Sequence, residues 1–203
     1  DAVSQSMSLA YIDQELDFLD RALEHWKTEP SALQGKLTES IAYINSIEKQ
    51  GYFPTHFLDS RKLVTAGKGR YALTVKLSNL KFEGNSPDYR RIYANCLTGE
   101  KFCQDAVNLA KAIPEARSAN ETRIADLPRK ILKTRGLYEN AWYAARRLQP
   151  YPRYQRKVQV KAAFTSLITA EALLTEAKEA NSFQEQSFTK ASAKLSSAEQ
   201  IIT

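Results

Sequence analysis

Apolar residues recur along this chain in steps of three and four, the spacing of helices that each bury one face. Leu9, Ile12, Leu16, Leu19, Leu23 and Trp26 make the first such stripe, and Asp13, Asp17, Asp20 and Glu24 make an acidic stripe one position round from it. The pattern breaks at Thr28-Glu29-Pro30, because proline suits a first helical turn and not an interior. It resumes from Ser31 with Leu33, Leu37, Ile41, Ile44 and Ile47 and ends at Gln50-Gly51, where glycine suits a C-terminal cap. Two such segments joined by a few residues predict an antiparallel helical hairpin. Tyr52-Phe53-Pro54-Thr55-His56-Phe57 follows as an aromatic connector, expected to tuck under the bundle.

Residues 58–84 read two ways. Tyr71, Leu73, Val75 and Leu77 alternate with Ala72, Thr74 and Lys76 like a half-buried strand, whereas Leu73, Leu77 and Leu80 fit a helix. No second alternating run offers a partner strand, so helix is expected from about Asp59 to Leu80, interrupted at Gly67-Lys68-Gly69. Ser86-Pro87-Asp88 is a helix start with a serine cap. Ile92, Cys96, Phe102, Ala106, Leu109 and Ile113 carry an apolar face to Pro114, with a break expected near Thr98-Gly99. Ser118-Ala119-Asn120-Glu121 has capping-box spacing and opens another segment, which Pro128 either kinks or restarts with Asp126 as cap. A basic-aromatic helix then runs to Gln149, and Pro150-Tyr151-Pro152 forces a turn.

Val160, Phe164, Leu167, Ile168 and Leu174 predict a long helix to about Ala180. Asn181-Ser182 with Glu185 gives a further capping box, and Phe188, Ala191, Leu195, Ala198 and Ile202 form a narrow final stripe, that of an edge helix or one that meets a partner. The expected fold is all-α: about six to eight antiparallel helices in helical hairpins, one domain over 1–203, with 84–86 as the point where it would divide. Proline and glycine positions do not recur at a fixed interval, so no solenoid repeat is claimed.

Composition agrees with that picture. The chain has 203 residues, 43% hydrophobic and 26% charged, with only seven glycines and seven prolines, enough to bury a core and poor in helix breakers. No apolar run reaches the ~18–20 residues of a membrane-spanning helix. The net charge of +6 permits an acidic partner without requiring one. Its distribution says more: seven acids and two bases in residues 1–29 give −5, while ten bases against Glu139 in residues 127–161 give +9. These two segments could face each other.

Candidate chemistry is sparse. Cys96 and Cys103 can close a small loop by a disulfide if Gly99 breaks the helix between them, or stand about two turns apart, too far to bond, if it does not. A disulfide and the absence of Met before Asp1 would together favour an extracytoplasmic compartment, periplasmic or secreted. Asn120-Glu121-Thr122 is a glycosylation sequon, a single match common by chance that matters only in a eukaryotic secretory host. His25 and His56 have no second ligand at metal spacing, so no metal site is expected. Four acids on one helix flank are as a rule a solvated face. Gly67-Lys68-Gly69-Arg70 lacks the G-x-x-x-x-G-K-[ST] pattern of a phosphate loop. No cofactor motif and no catalytic residue stand out.

The segment from Leu127 to Lys161 carries the functional expectation. On a helical period Leu127, Ile131, Tyr138, Ala141, Trp142, Ala145 and Leu148 share a core face, and the bases lie on the remaining faces. Past the turn, Tyr151 and Tyr154 with Arg147, Arg153, Arg156 and Lys157 are placed for exposed contact and form the candidate binding set. The primary expectation is a non-enzymatic helical binding or accessory protein that acts through protein–protein contacts. The alternatives are polyanion binding (nucleic acid or an anionic surface) through residues 127–161, where arginine and tyrosine could meet phosphate and base, and an enzyme whose site sequence does not reveal.

Overall fold

In the computed structural model, which describes residues 2–80, 87–148 and 150–202, the side chains of the first nine residues apart, each periodic segment is helical. The helices are α1 (Ala2–His25), α2 (Glu29–Glu48), α3 (Leu58–Asn79), α4 (Tyr89–Ala145), α5 (Pro150–Ala180) and α6 (Phe188–Ile202), with a 3-10 turn at Pro54–Phe57. The fold is all-α. The alternating stretch of α3 is helix because its buried positions, Thr74 and Leu77, are three apart, while Leu73 and Val75 remain exposed. The helices pack into two compact units, 1–111 and 112–203, so that α4 gives Tyr89–Lys111 to the first and its remainder to the second.

In the first unit α2 and α3 run antiparallel, tied by Arg61 to Glu48 (2.7 Å) and by Tyr71 to Gln34 (3.1 Å). Leu33, Leu37, Ile44 and Ile47 are the buried stripe of α2, and Gly51, at φ 97°, ends it as the sequence predicts. Tyr52 and Phe57 of the aromatic connector are buried beneath, whereas Phe53 stays exposed. The expected breaks at Gly67 and Gly99 do not occur; both residues sit inside continuous helices. They mark a close helix crossing. A Cβ on Gly99 would lie 2.8 Å from Leu33 Cδ2, and one on Gly67 would lie 3.1 Å from Leu37 Cδ2 and 3.4 Å from the Gly99 carbonyl oxygen. Glycine serves there for lack of bulk, so the packing gain outweighs its ~1 kcal/mol helix penalty.

The helix α4 departs furthest from expectation. It passes through Pro114 and Pro128 without a break. Each proline removes one backbone bond, a cost of roughly 3 kcal/mol in a helix interior, yet buried anchors on either side (Ala110, Leu127, Ile131) hold the helical path. Its start is capped by Asp88, whose carboxylate accepts the Arg91 backbone N–H at 3.0 Å; the expected cap Ser86 lies outside the described residues, as do 84 and 85. The expected helix start at Ser118 is mid-helix. Asn120, the sequon residue, is buried and donates to Asn181 Oδ1 (3.0 Å) and to the Phe188 carbonyl (2.9 Å), which removes it as an exposed acceptor for sugar.

The second unit is an up-down-up trio. The later part of α4 pairs antiparallel with α5 through Arg135–Glu171 and through Tyr138 edge-on to Phe164 (6.0 Å), and runs parallel to α6 through Arg123 and Glu199 (2.7 Å). Its core joins Leu127 and Ile131 to Leu167, Leu174 and Leu195, with Ala170, Ala177 and Ala198 allowing close approach of α5 and α6. The narrow stripe of α6 is thus covered from within the chain. Residues 181–187 form a loop rather than the expected helix start: Ser182 Oγ accepts the Glu185 N–H, Gln186 takes φ 49°, and α6 begins only at Phe188.

The docked face of α1 is not the expected stripe, and that difference matters most for function. Phe18 meets Tyr93 (5.4 Å), Glu15 meets Arg90 (2.6 Å), and Ala22 is fully buried, so the face at 15, 18 and 22 is the docked one. The more hydrophobic stripe lies roughly a quarter-turn away at 100° per residue. There Ile12, Leu16 and Leu23 are 51–54% exposed, alongside the exposed acids Asp13, Asp17, Asp20 and Glu24.

Candidate functional site

The end of the α4–α5 hairpin holds the predicted binding set. The last residues of α4 tighten into successive short-range bonds, Arg146 N–H to Tyr143 O, Arg147 to Ala144 and Leu148 to Ala145, each 3.1–3.2 Å. The chain therefore turns at 146–148, ahead of the prolines, and Pro150 and Pro152 occupy the first turn of α5, where their missing N–H groups cost little. The expected turn at Pro150-Tyr151-Pro152 is corrected accordingly, and Gln149 lies outside the described residues.

Arg147 lies in the turn; Tyr151, Arg153, Tyr154, Arg156 and Lys157 follow on the first two turns of α5. Tyr151 and Tyr154 are 73% and 70% exposed. Arg153 Nε donates to the Leu148 carbonyl (3.0 Å), which fixes the guanidinium beside the turn, and Arg156 donates to Gln159 Oε1 (3.3 Å). Lys157 places its ammonium 5.4 Å over the Trp142 ring, and Arg146 lies 5.5 Å over Tyr143. Among the described residues none of Arg146, Arg147, Arg153, Arg156, Lys157 and Lys161 has a carboxylate partner within 4.0 Å. Lys130 and Arg135, further down the same hairpin, do have one.

Sequence reasoning missed what lies between these bases. Ala141 and Leu148, expected in the core, are exposed, and Tyr138 and Trp142 are only half-buried. Tyr138, Ala141, Ala144, Ala145 and Leu148 of α4 face Arg156, Gln159, Val160 and Ala163 of α5 across an open groove of about 410 Å³. Small side chains on both helices leave that space, and the alanine cluster at 141, 144 and 145 was its only signal in the sequence.

A second cluster lies in the first unit, built from residues far apart in sequence. Lys36 reaches Glu100 at 2.6 Å, and the Glu29 carboxyl neighbours the same carboxylate. Burial first, and the neighbouring Glu100 charge second, push the Glu29 carboxyl above the usual glutamate range, while His25 and Lys36 pull the other way. Close by, Cys96 and Cys103 are free, buried thiols on the continuous helix α4, not a disulfide. Their Cβ atoms face a packed interior two turns apart, so the bridge is excluded by geometry. Burial raises both, Cys96 to about 11. Such thiols are poor nucleophiles.

Among the described residues no three His, Cys, Asp or Glu side chains converge on a point that could hold a metal ion, and no helix is long and apolar enough to cross a membrane. These features define an all-helical protein of two compact units, with an open groove between α4 and α5. Comparison with family models, with curated proteins and with solved structures finds no match to this chain.

Proposed function

We propose that this protein is a binding protein rather than an enzyme, and that it captures an acidic protein segment at the α4–α5 hairpin end. One observation carries the reading: an open, largely apolar groove between α4 and α5 has Arg156 in its wall and Arg153 bonded to the carbonyl of its Leu148, and neither arginine has a carboxylate partner among the described residues. The groove is lined mostly by alanine, leucine, valine and tyrosine, with Arg156 and Gln159 as its polar side chains. That lining offers an aliphatic anchor a place to be desolvated. The flanking arginines then select acids next to the anchor and speed encounter. Exposed Tyr151 and Tyr154 add broad, stiff contact area of the kind enriched at protein interfaces.

The test is fluorescence anisotropy of a labelled amphipathic helical peptide with an aliphatic stripe flanked by aspartates, beside mixed-sequence RNA and heparin. Binding of the peptide is expected, weakened at least tenfold by Arg153→Glu/Arg156→Glu and also by Ala144→Gln, which fills the groove without changing its charge. Tight binding of RNA or heparin with a steep salt dependence, and none of the peptide, would replace this reading with the polyanion one.

A further inference from the structure

Resting on that reading, we infer that the acidic segment is α1 of a second copy of this chain. Helix α1 is held to its own unit by Phe18, Ala22 and the Glu15–Arg90 pair, all on one face. That docking leaves its strongest apolar stripe outward. Ile12, Leu16 and Leu23 are each more than half exposed and follow one another at helix-in-groove spacing, about 16 Å from end to end at 1.5 Å per residue. Contiguous exposed aliphatic residues on an otherwise polar helix mark a contact surface.

The acids complete the match. Asp13 and Asp20 have no cationic partner among the described residues, and Asp17 is bridged only by Arg21 on the same helix, with both side chains 61% exposed. The chain therefore presents a helix with an aliphatic stripe beside a run of acids, and elsewhere a largely apolar groove with Arg156 in its wall and Arg153 at its Leu148 end, neither paired with an acid among the described residues. Each surface lacks what the other supplies. Like charges at i, i+4 along α1 repel in isolation, and seating them against Arg153 and Arg156 relieves that repulsion. Because the two surfaces differ, the contact is heterologous: it closes reciprocally in a pair or continues head to tail.

Sedimentation velocity over a range of loading concentrations, at low and high salt, tests this. The intact chain is expected to self-associate, less so in high salt. Asp13→Lys/Asp20→Lys and Arg153→Glu/Arg156→Glu should each be monomeric alone, yet mixed one to one they should form a dimer, since the mixture still contains one intact α1 and one intact groove. Leu16→Gln/Leu23→Gln tests the apolar half without touching charge, with circular dichroism to verify that every variant is folded. An intact chain that stays monomeric at all concentrations, or an α1 variant that associates like wild type, overturns the inference. In the first case, continued binding of the synthetic acidic peptide leaves the proposed function standing; loss of peptide binding as well removes both.

Discussion

At Asn120 a polar side chain in the core is stabilising because each of its amide donors has a fixed acceptor, the Asn181 side chain and the Phe188 carbonyl. Asn120→Ala strands both acceptors, and the expected loss is about 1–3 kcal/mol in urea unfolding. Glycines divide by what surrounds them. Gly99→Ala drives a methyl into buried Leu33 and should cost ~1–3 kcal/mol, whereas Gly69→Ala meets open space in a helix and should add about 0.5–1 kcal/mol. Glu29 illustrates the pH sign. Its folded carboxyl titrates above the unfolded value, so its contribution favours the fold at acid pH and is lost as pH rises through the folded pKa. Glu29→Gln is therefore expected to raise the melting midpoint at neutral pH, with the gain shrinking as pH falls towards the ordinary glutamate value of about 4.3. A gain that is independent of pH would contradict the Glu29–Glu100 assignment.

Helices here follow tertiary demand wherever local signals conflict with it. Capping-box spacing is present at Ser118 and at Ser182, but Ser118 lies mid-helix and Asn120 and Asn181 form a buried amide pair; Ser182 does accept the Glu185 N–H, yet α6 starts only at Phe188. Prolines at 114 and 128 should stop a helix on propensity alone, yet α4 continues because buried residues flank both. Continuity of α4 also decides the cysteines. Cys96 and Cys103 are held in the helix, buried, and raised above the ordinary thiol range. An Ellman titration should find both thiols unreactive in the native protein and both reactive once it is unfolded, with intact mass unchanged by reductant. A bond found by mass would break α4 near Gly99.

Over the whole molecule, charge is organised rather than merely abundant. Lys36, Arg61, Arg123 and Arg135 each bridge two helices through a carboxylate, while Arg153 and Arg156 at the hairpin end have no carboxylate partner among the described residues. Unpaired surface charge contributes little to folding, since exposed pairs themselves are worth only ~0–1 kcal/mol. Arg153→Glu/Arg156→Glu should accordingly leave thermal stability nearly unchanged while lowering peptide affinity at least tenfold. A large drop in melting temperature would instead make these arginines structural.

Sequence by itself determined the helical class, the inward faces of α2 and α6, the cap at Gly51 and the exposed basic-aromatic turn, because each depends on residues within one or two turns of each other. Tertiary structure alone decided the rest. Which face of α1 is buried depends on Tyr93 and Arg90, some seventy residues away; whether Gly67 and Gly99 break helices depends on Leu33 and Leu37 filling the space they leave; and the groove exists only where alanines of α4 meet Val160 and Ala163 of α5. Periodicity reports that a helix has an apolar face. Only packing against a neighbour says whether that face is covered, and in α1 its Ile12, Leu16 and Leu23 are not.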